Sequence, residues 1–385
     1  MKNEESIMKQ ILIFIDWFLP GYKAGGPIQS ITNLVAHLGN ELDISIVTSN
    51  ADLGEKASYP NLIYNSWIQR DNYRVIYLDD KHQNRKQYKF LVREQAYDVI
   101  YFNSLFSPGF TFLPLLCIRK LNSKIILAPR GMLGEGALNI KRKKKIIYLS
   151  LFRLLGLNRI ISWHATSETE YDEIRKHFGD DAVIDLASNL SKKVSGKLEA
   201  KEKKINELRL FFLSRIAYKK NLKRALEYLK KVESEIRIEF LIIGPVDEAE
   251  YWRECQTVIS QLPSNIKVLT IGAVPNHELP AMLKDQHILL LPTLHENFGH
   301  VIMEAWQNGC PVIISDQTPW RGLESVRVGW DIPLNDPDGF VRAIETAAKM
   351  DSETYQQWSS SAVDYARGFC ENPAVIEANR RLFEN

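Results

Sequence analysis

A chain of 385 residues is long enough for two domains with separate hydrophobic cores. Its composition, 45% hydrophobic and 25% charged, is that of an ordinary globular protein, which excludes a low-complexity or largely disordered chain. A formal net charge of +2 selects no class of partner by bulk attraction, so any electrostatic role must come from local clusters. Cys117, Cys255, Cys310 and Cys370 stand far apart, form no CxxC pair and suggest no disulfide framework, which fits a reduced cytosolic compartment.

The opening stretch MKNEESIMKQILIFIDWF has a short apolar run but no small-residue cleavage site. The run is far below a membrane span and reads as a first buried strand, ILIFI at 11–15. A long loop, DWFLPGYKAGGP, follows, and Pro27 suits the first turn of a helix through IQSITNLVAHL. DISIVTS, YRVIYL, YDVIYFN and SKIILAPR repeat the continuous apolar pattern of parallel strands. RIISWHATSETEYDEIRKHF then gives a strand, a cap at Thr166–Ser167 and a helix that is acidic early and basic late.

Residues 191–207, SKKVSGKLEAKEKKINE, are highly charged and without period, and read as a linker. A second α/β pattern begins directly after them. LRLFFLS, RIEFLIIG, NIKVLTIG, HILLLP and CPVIIS are its strands, and NLKRALEYLKKV and EYWRECQTVISQL are helices between them. The C-terminal stretch from DPDGF onward is helical and amphipathic, and its end is expected to return to the first domain.

Two stretches of the second domain carry chemistry. In FLSRIAYKKNLKRAL, Arg215 lies at the carboxyl end of a strand, and Lys219 and Lys220 precede a helix. Ligands of open α/β sheets gather at such ends, so these residues are either solvated loop charges or a clamp on a diphosphate. In LPTLHENFGHVIMEAWQNGC a strand is followed by a helix start whose free amides, from Gly299 to Val301, suit a phosphate, with Gly299 allowing close approach. Glu304 lies further into that helix, where its carboxylate would be repelled by phosphates and suits hydroxyls, such as those of a ribose. Glu296 precedes the helix and could meet a sugar ring. Taken singly, each glutamate also reads as a surface residue.

Together these motifs resemble the retaining glycosyltransferases of family 4, also called glycosyl transferases group 1. The matching segments are LSRIAYKKNL, FLIIGP, LTIGAVPNHELPAMLKDQHILLLPTLHENFGHVIMEAWQNGCPVIISD and the loop YKAGGPIQSITNLVAHL, strongest over residues 209–335. The resemblance implies the α/β GT-B fold, two Rossmann-like domains facing across a cleft. The expected bounds are 1–195 for an acceptor-binding domain, 196–365 for a nucleotide-sugar domain, and 366–385 for the returning C-terminal helix. It implies transfer of a hexose from a nucleotide sugar, UDP- or GDP-linked with UDP preferred, with retention and without a cofactor or metal. Arg215 and Lys220 match the phosphate-binding pair, Glu304 the ribose ligand and Glu296 the group near the donor sugar. Asn297, Phe298, Gly299, His300 and Val301 would supply backbone contacts. Gly244 and Val274 fall in loops near the nucleobase, and the Gly25–Gly26 turn approaches the diphosphate and the acceptor.

Two positions depart from the family pattern. Asn221 stands where glycine is usual. In LAPRGMLGEGAL, Arg130 stands where a histidine faces the donor sugar. An arginine is no base at neutral pH, so Arg130, grouped with Glu296, Arg215 and Lys220 as a catalytic candidate, is read as binding a phosphate, an acidic sugar or an acceptor carboxylate, or as structural. His164 is a candidate on the acceptor side or a core histidine.

The run Lys141, Arg142, Lys143, Lys144, Lys145 precedes IIYLSLFRLLGL. It reads either as a peripheral contact with the inner face of a membrane or as a solvated basic turn before a buried helix. Nucleic acid is not expected, because aromatic residues do not interleave with the short basic run. The resulting expectation is a cytoplasmic hexosyltransferase of bacterial surface polysaccharide (lipopolysaccharide or capsule) assembly, acting on a glycan or lipid-linked glycan. The alternatives are an epimerase or hydrolase of sugar nucleotides, or an inactive sugar-nucleotide-binding partner protein.

Overall fold

The computed structural model describes residues 8–118, 121–139, 141–194 and 199–384. The chain forms two compact units, Met1–Lys192 with Asn372–Asn385, and Lys193–Glu371. The division falls three residues before the break expected at 195/196 and six after that expected at 365/366.

Unit 1 carries the strands β1 (Lys9–Phe14), β2 (Leu42–Ser49), β3 (Trp67–Gln69), β4 (Arg74–Leu78), β5 (Val99–Phe102), β6 (Lys124–Leu127), β7 (Ser162–Ala165) and β8 (Ile184–Leu186). Its helices are α1 (Gly26–Leu38), α2 (Arg85–Leu91), α3 (Leu113–Ile118), α4 (Glu135–Asn139), α5 (Arg142–Leu154) and α6 (Glu168–Phe178). Unit 2 carries β9 (Glu207–Leu213), β10 (Arg237–Ile243), β11 (Ile266–Gly272), β12 (Ile288–Leu291), β13 (Val312–Ser315) and β14 (Gly329–Ile332). Its helices are α7 (Leu222–Leu229), α8 (Ala249–Ile259), α9 (Leu279–Leu283), α10 (His300–Gln307), α11 (Pro337–Lys349) and α12 (Ser352–Cys370). The last helix, α13 (Pro373–Arg381), belongs to unit 1.

The unit 1 sheet runs β3-β4-β2-β1-β5-β6-β7-β8, parallel except for the edge strand β3. Along β1, Leu12 and Phe14 enter one core while Ile11 and Ile13 enter the other. Both faces are covered, which is why this strand is apolar without a polar alternation. Leu382 and Phe383, just past α13, complete the second core, and the Arg380 guanidinium holds Glu41 at 2.6 Å.

The unit 2 sheet runs β11-β10-β9-β12-β13-β14, all parallel. Numbered within the unit this is 3-2-1-4-5-6, the doubly wound order, whose direction reverses between β9 and β12. Strands β3, β8 and β14, of three or four residues each, are the ones the apolar pattern did not announce.

The charged stretch 191–207 is more than a linker. Residues 195–198 lie outside the described residues, but Lys201 and Lys203 are buried in unit 2. The Lys201 ammonium donates to the carbonyls of Leu283 at 2.9 Å and Gln286 at 2.7 Å. That of Lys203 donates to Ala348 O at 2.8 Å and Met350 O at 3.0 Å. The lysine heads thus satisfy carbonyls at the ends of α9 and α11 that the helices leave open. Burial pulls the Lys203 ammonium down to about 8.

Candidate functional site

The loops that leave β9 and β12 meet at the switch point of unit 2. Asn221 Nδ2 donates to Pro292 O at 2.8 Å, Leu294 N donates to Lys219 O at 2.8 Å, and Thr293 Oγ1 donates to the same carbonyl at 3.1 Å. Asn221 has φ 60°, a left-handed conformation that glycine or asparagine accepts at low cost. The residue standing in the place of glycine therefore keeps the turn and adds a tether between the loops.

Lys220 and Glu296 form an ion pair across these loops, with side chains 16% and 13% exposed. Burial alone would raise the Glu296 carboxyl. The charge and hydrogen bond of Lys220, aided by Lys219 and His295, outweigh it, and the carboxyl lies below its usual value. Arg215 leaves the end of β9 and donates from Nη1 to Asp247 at 2.8 Å, with both side chains well exposed. Asp247 was not singled out in the sequence. Its signal was its place in the loop after β10.

Helix α10 starts behind Gly299, which has φ 79° and provides no side-chain cap. Its first turn carries no acidic residue. The helix thus presents its positive end at the switch point without an internal anion. A Cβ at residue 299 would lie 2.8 Å from Ile302 Cδ1. Phe298 is a core residue, packed against Trp320 and Phe369, and its carbonyl accepts from Trp320 Nε1 at 2.7 Å. That carbonyl thus anchors the loop inside unit 2, while the backbone contacts expected of Asn297–Val301 rest on their N–H groups. The His300 ring lies edge-on to Phe298. Val301 packs partly against the unit 2 core.

Glu304, one turn into α10, is half-buried and accepts from Asn276 Nδ2 at 2.7 Å. Loss of water raises its carboxyl to about 7, opposed only by that hydrogen bond. Asn276, which the sequence reading passed over, follows Val274 in the loop after β11, where Val274 itself rests on the core. Gly244, at the end of β10, has φ 145°, and its amide donates to Gly272 O at 2.7 Å. A Cβ there would fall 1.9 Å from Ser214 O, so the strand ends can approach only through glycine. Arg215, Gly244, Val274, Lys220, Glu296, Gly299 and Glu304 thus share the carboxyl edge of one sheet.

In unit 1, Gly25 caps α1 with φ 64°, Gly26 begins the helix and Pro27 follows in its first turn. Pro27 O accepts from Asn103 Nδ2 at 3.0 Å. Asn103 Oδ1 in turn accepts from Arg130 Nε at 2.7 Å, and Tyr101 OH accepts from Arg130 Nη2 at 2.8 Å. Arg130 Nη1 also donates to Asn189 Oδ1. The guanidinium is engaged on all three nitrogens within unit 1, at a backbone φ of 58°.

His164 is 1% exposed, which selects the core histidine of its two readings over the acceptor side. Tyr101 accepts from Arg130, so its hydroxyl hydrogen points to His164 Nδ1 at 2.8 Å; Nε2–H then donates to Ala187 O at 2.8 Å. Burial, then the charge of Arg130, pushes the ring down to about 3, so it stays neutral. Glu170, buried in the first turn of α6, accepts from Gly131 N at 2.5 Å and from Thr166 N and Oγ1 at 2.8 Å each. It fixes the turn that carries Arg130. Asp16, just past β1, accepts from Ser107 Oγ at 2.6 Å across the switch point between β1 and β5, and burial raises its carboxyl. Neither carboxylate was foreseen.

The sequence profile of the family described as glycosyl transferases group 1 matches residues 196–364. Residues 196–364 belong to the glycosyl transferases group 1 family. Every unit 2 site residue named above lies inside that match. WcaL of Salmonella typhimurium, provisionally named a colanic acid biosynthesis glycosyltransferase, is 27% identical over 159 residues, 39% of this chain and 38% of that protein. An uncharacterized 41.2 kDa protein from the cps region of Klebsiella pneumoniae is 26% identical over 237 residues, 58% of this chain and 62% of its own. These alignments thus span less than two thirds of either relative.

Solved structures extend the likeness of fold to both units. Sucrose-phosphate synthase from Thermosynechococcus elongatus superposes with a TM-score of 0.74 at 14% identity, over 98% of each chain. HepE from Anabaena, solved in complex with UDP and glucose, gives 0.68 at 14% identity over 98% of each chain. WaaG, a glycosyltransferase involved in lipopolysaccharide biosynthesis, gives 0.66 at 13% identity over 97% of this chain and 98% of that one. The chain therefore has the GT-B fold, with two Rossmann-like domains.

Proposed function

We propose that the protein is a retaining hexosyltransferase that moves a sugar from a UDP-sugar to a glycan or lipid-linked glycan in bacterial surface polysaccharide assembly. The observation that carries this reading is the grouping at the unit 2 switch point of Lys220, Glu296, Arg215, the uncapped start of α10 and Glu304. A nucleotide sugar has three parts of different chemistry, and this edge offers a partner for each. Glu304 accepts from the ribose hydroxyls. Arg215, Lys220 and the α10 amides take the diphosphate. Glu296 meets the hexose. The colanic acid relative and the cps-region relative support a surface glycan, and the UDP complex of a structural neighbour supports UDP.

In the reaction, the bond from the anomeric carbon to the diphosphate oxygen breaks and a bond to the acceptor oxygen forms on the same face. The acceptor proton passes to the departing phosphate. Arg215, Lys220 and the helix amides stabilise the negative charge that grows on the leaving group. Unit 1, with Gly25–Gly26, is assigned to the acceptor. The protein is placed in the cytoplasm, with Lys141–Lys145 in peripheral contact with the membrane.

The arginine at 130 favours one second reading, a sugar-nucleotide-binding protein without turnover, because its guanidinium is committed to Tyr101, Asn103 and Asn189. Incubation with UDP- and GDP-sugars separates the two. Release of UDP with sugar transfer to a glycan supports the enzyme, and binding without turnover across a wide acceptor panel supports the second reading. If neither UDP nor GDP raises the melting temperature, both fail.

A further inference from the structure

Helix α5 buries one apolar side and leaves a second apolar stripe exposed. Leu149 and Phe152 enter the unit 1 core, but Ile147, Leu151 and Leu154 are 68%, 41% and 83% exposed. Their spacing of four and three places them in one stripe on the outer face. Lys141, Arg142, Lys143 and Lys144 are exposed immediately before this stripe. Isolated surface leucines are common, whereas an apolar stripe joined to a basic cluster is the pattern of an interfacial helix.

A cavity of about 440 Å³ adjoins the helix, bordered by α4, α5 and the end of α6. Leu138, Ile146 and Leu149 contribute apolar wall, and Arg142, Lys145, Arg153 and Lys176 bring positive charge. Among its lining residues the one carboxylate is Glu135, which Lys176 engages at 3.2 Å. Lys145 is held in place by Ala137 O at 2.5 Å and by the Phe106 ring at 5.0 Å. A cavity with a cationic lining and an apolar wall fits an anionic phosphate headgroup with the start of its acyl chain.

The geometry points to the α4–α5–α6 face of unit 1 as a docking surface for an anionic lipid bilayer, with one phosphate headgroup seated in the cavity and the Ile147–Leu151–Leu154 stripe entering the interface. This rests on the peripheral contact in the proposed function and extends it from a basic run to a defined surface with a headgroup site. A soluble polyanion answers the charge but leaves the stripe in water. A bilayer answers both. Among the described residues no helix is long and apolar enough to cross a membrane, so contact through this face lies at the surface.

The test is flotation of the full chain with vesicles of phosphatidylcholine alone and with roughly one-third phosphatidylglycerol added. The expected result is binding to the anionic vesicles only, reversed by high salt. Replacing Ile147, Leu151 and Leu154 together by serine, all exposed positions, weakens it about tenfold or more. The Arg142→Ala, Lys176→Ala pair weakens it about thirtyfold at low salt, more than the Lys143→Ala, Lys144→Ala pair does. Equal binding to neutral vesicles, no binding to anionic ones, or an unchanged affinity in the serine variant overturns the proposal. So does release of bound protein by millimolar inorganic phosphate at constant ionic strength, which would assign the cavity to the free ion. UDP binding is measured alongside. If it persists when vesicle binding fails, the docking surface falls and the transferase reading stands.

Discussion

Lys220 and Glu296 neutralise each other across the two loops that flank the switch point of unit 2. In the proposed function, a diphosphate that draws the lysine away leaves the glutamate to accept from a sugar hydroxyl. On that reading the pair couples arrival of the phosphates to exposure of the sugar ligand.

This coupling makes the two substitutions unequal. Lys220→Ala leaves a poorly solvated carboxylate without its partner and costs about 1–3 kcal/mol of stability, with weaker UDP binding. Glu296→Gln frees the ammonium for phosphate, so UDP binds equally or a few-fold more tightly, while sugar transfer falls about a hundredfold. Calorimetric titration with UDP, set beside a transfer assay, reads both. Weaker UDP binding in Glu296→Gln would contradict the exchange of partners.

Glu304 has a carboxyl raised to about 7 from the usual 4.5 by loss of water. Between these values the folded protein holds a proton that the unfolded chain has lost, so this group's contribution to stability declines as pH rises from 4.5 through 7 and is flat above. Glu304→Gln removes that penalty. Its melting temperature should exceed that of the parent at pH 8, by an amount equivalent to about 1–3 kcal/mol, and approach it near pH 4.5. The same variant should bind UDP about tenfold more weakly, because the amide is a poorer acceptor for two ribose hydroxyls. Scanning calorimetry across pH, with and without UDP, checks both signs. A lower melting temperature at pH 8 would exclude the desolvation account.

Arg130 is the centre of a polar chain that runs to Tyr101, His164 and Ala187 O on one side and to Asn103 and Pro27 O on the other. Restoring the family's histidine by Arg130→His removes at least two of these bonds and should destabilise unit 1 by about 2 kcal/mol. UDP affinity, which the proposed function assigns to unit 2, should stay within about twofold. Urea denaturation followed by UDP titration measures both. A large loss of UDP affinity with unchanged stability would instead make Arg130 a donor ligand.

The contrast between residues read well and residues missed has a physical basis. Parallel strands buried on both faces announce themselves as short apolar runs, so β1, β9 and β12 were legible, and with them the loops that carry Arg215, Lys220, Glu296 and Gly299. Three- and four-residue edge strands such as β3 and β14 carry too little pattern to separate from loop. The partners Asp247 and Asn276 come from other loops, and only the sheet order brings them beside Arg215 and Glu304. Lys201 and Lys203 were read as part of a charged linker because carbonyls freed at helix ends leave no sequence mark. His164 at a strand end could point to solvent or to the core, and the deciding neighbours, Tyr101 and Ala187, are far away in sequence.

Asn221 offers a test of how a departure from the family's glycine is tolerated. Its φ of 60° disfavours any residue with an ordinary Cβ, and its amide holds Pro292 O at 2.8 Å. Asn221→Gly keeps the backbone and loses only the tether, which should cost about 1 kcal/mol. Asn221→Ala loses the tether and adds left-handed strain of about 1 kcal/mol, so its total approaches 2 kcal/mol. Because the tether joins the Lys220 loop to the Glu296 loop, both variants should also raise the KM for the donor, the alanine variant more. Chemical denaturation orders the stabilities, and initial rates at varied donor give the KM values. A glycine variant as stable as the parent, with the same KM, would show that the backbone conformation alone is what this position supplies.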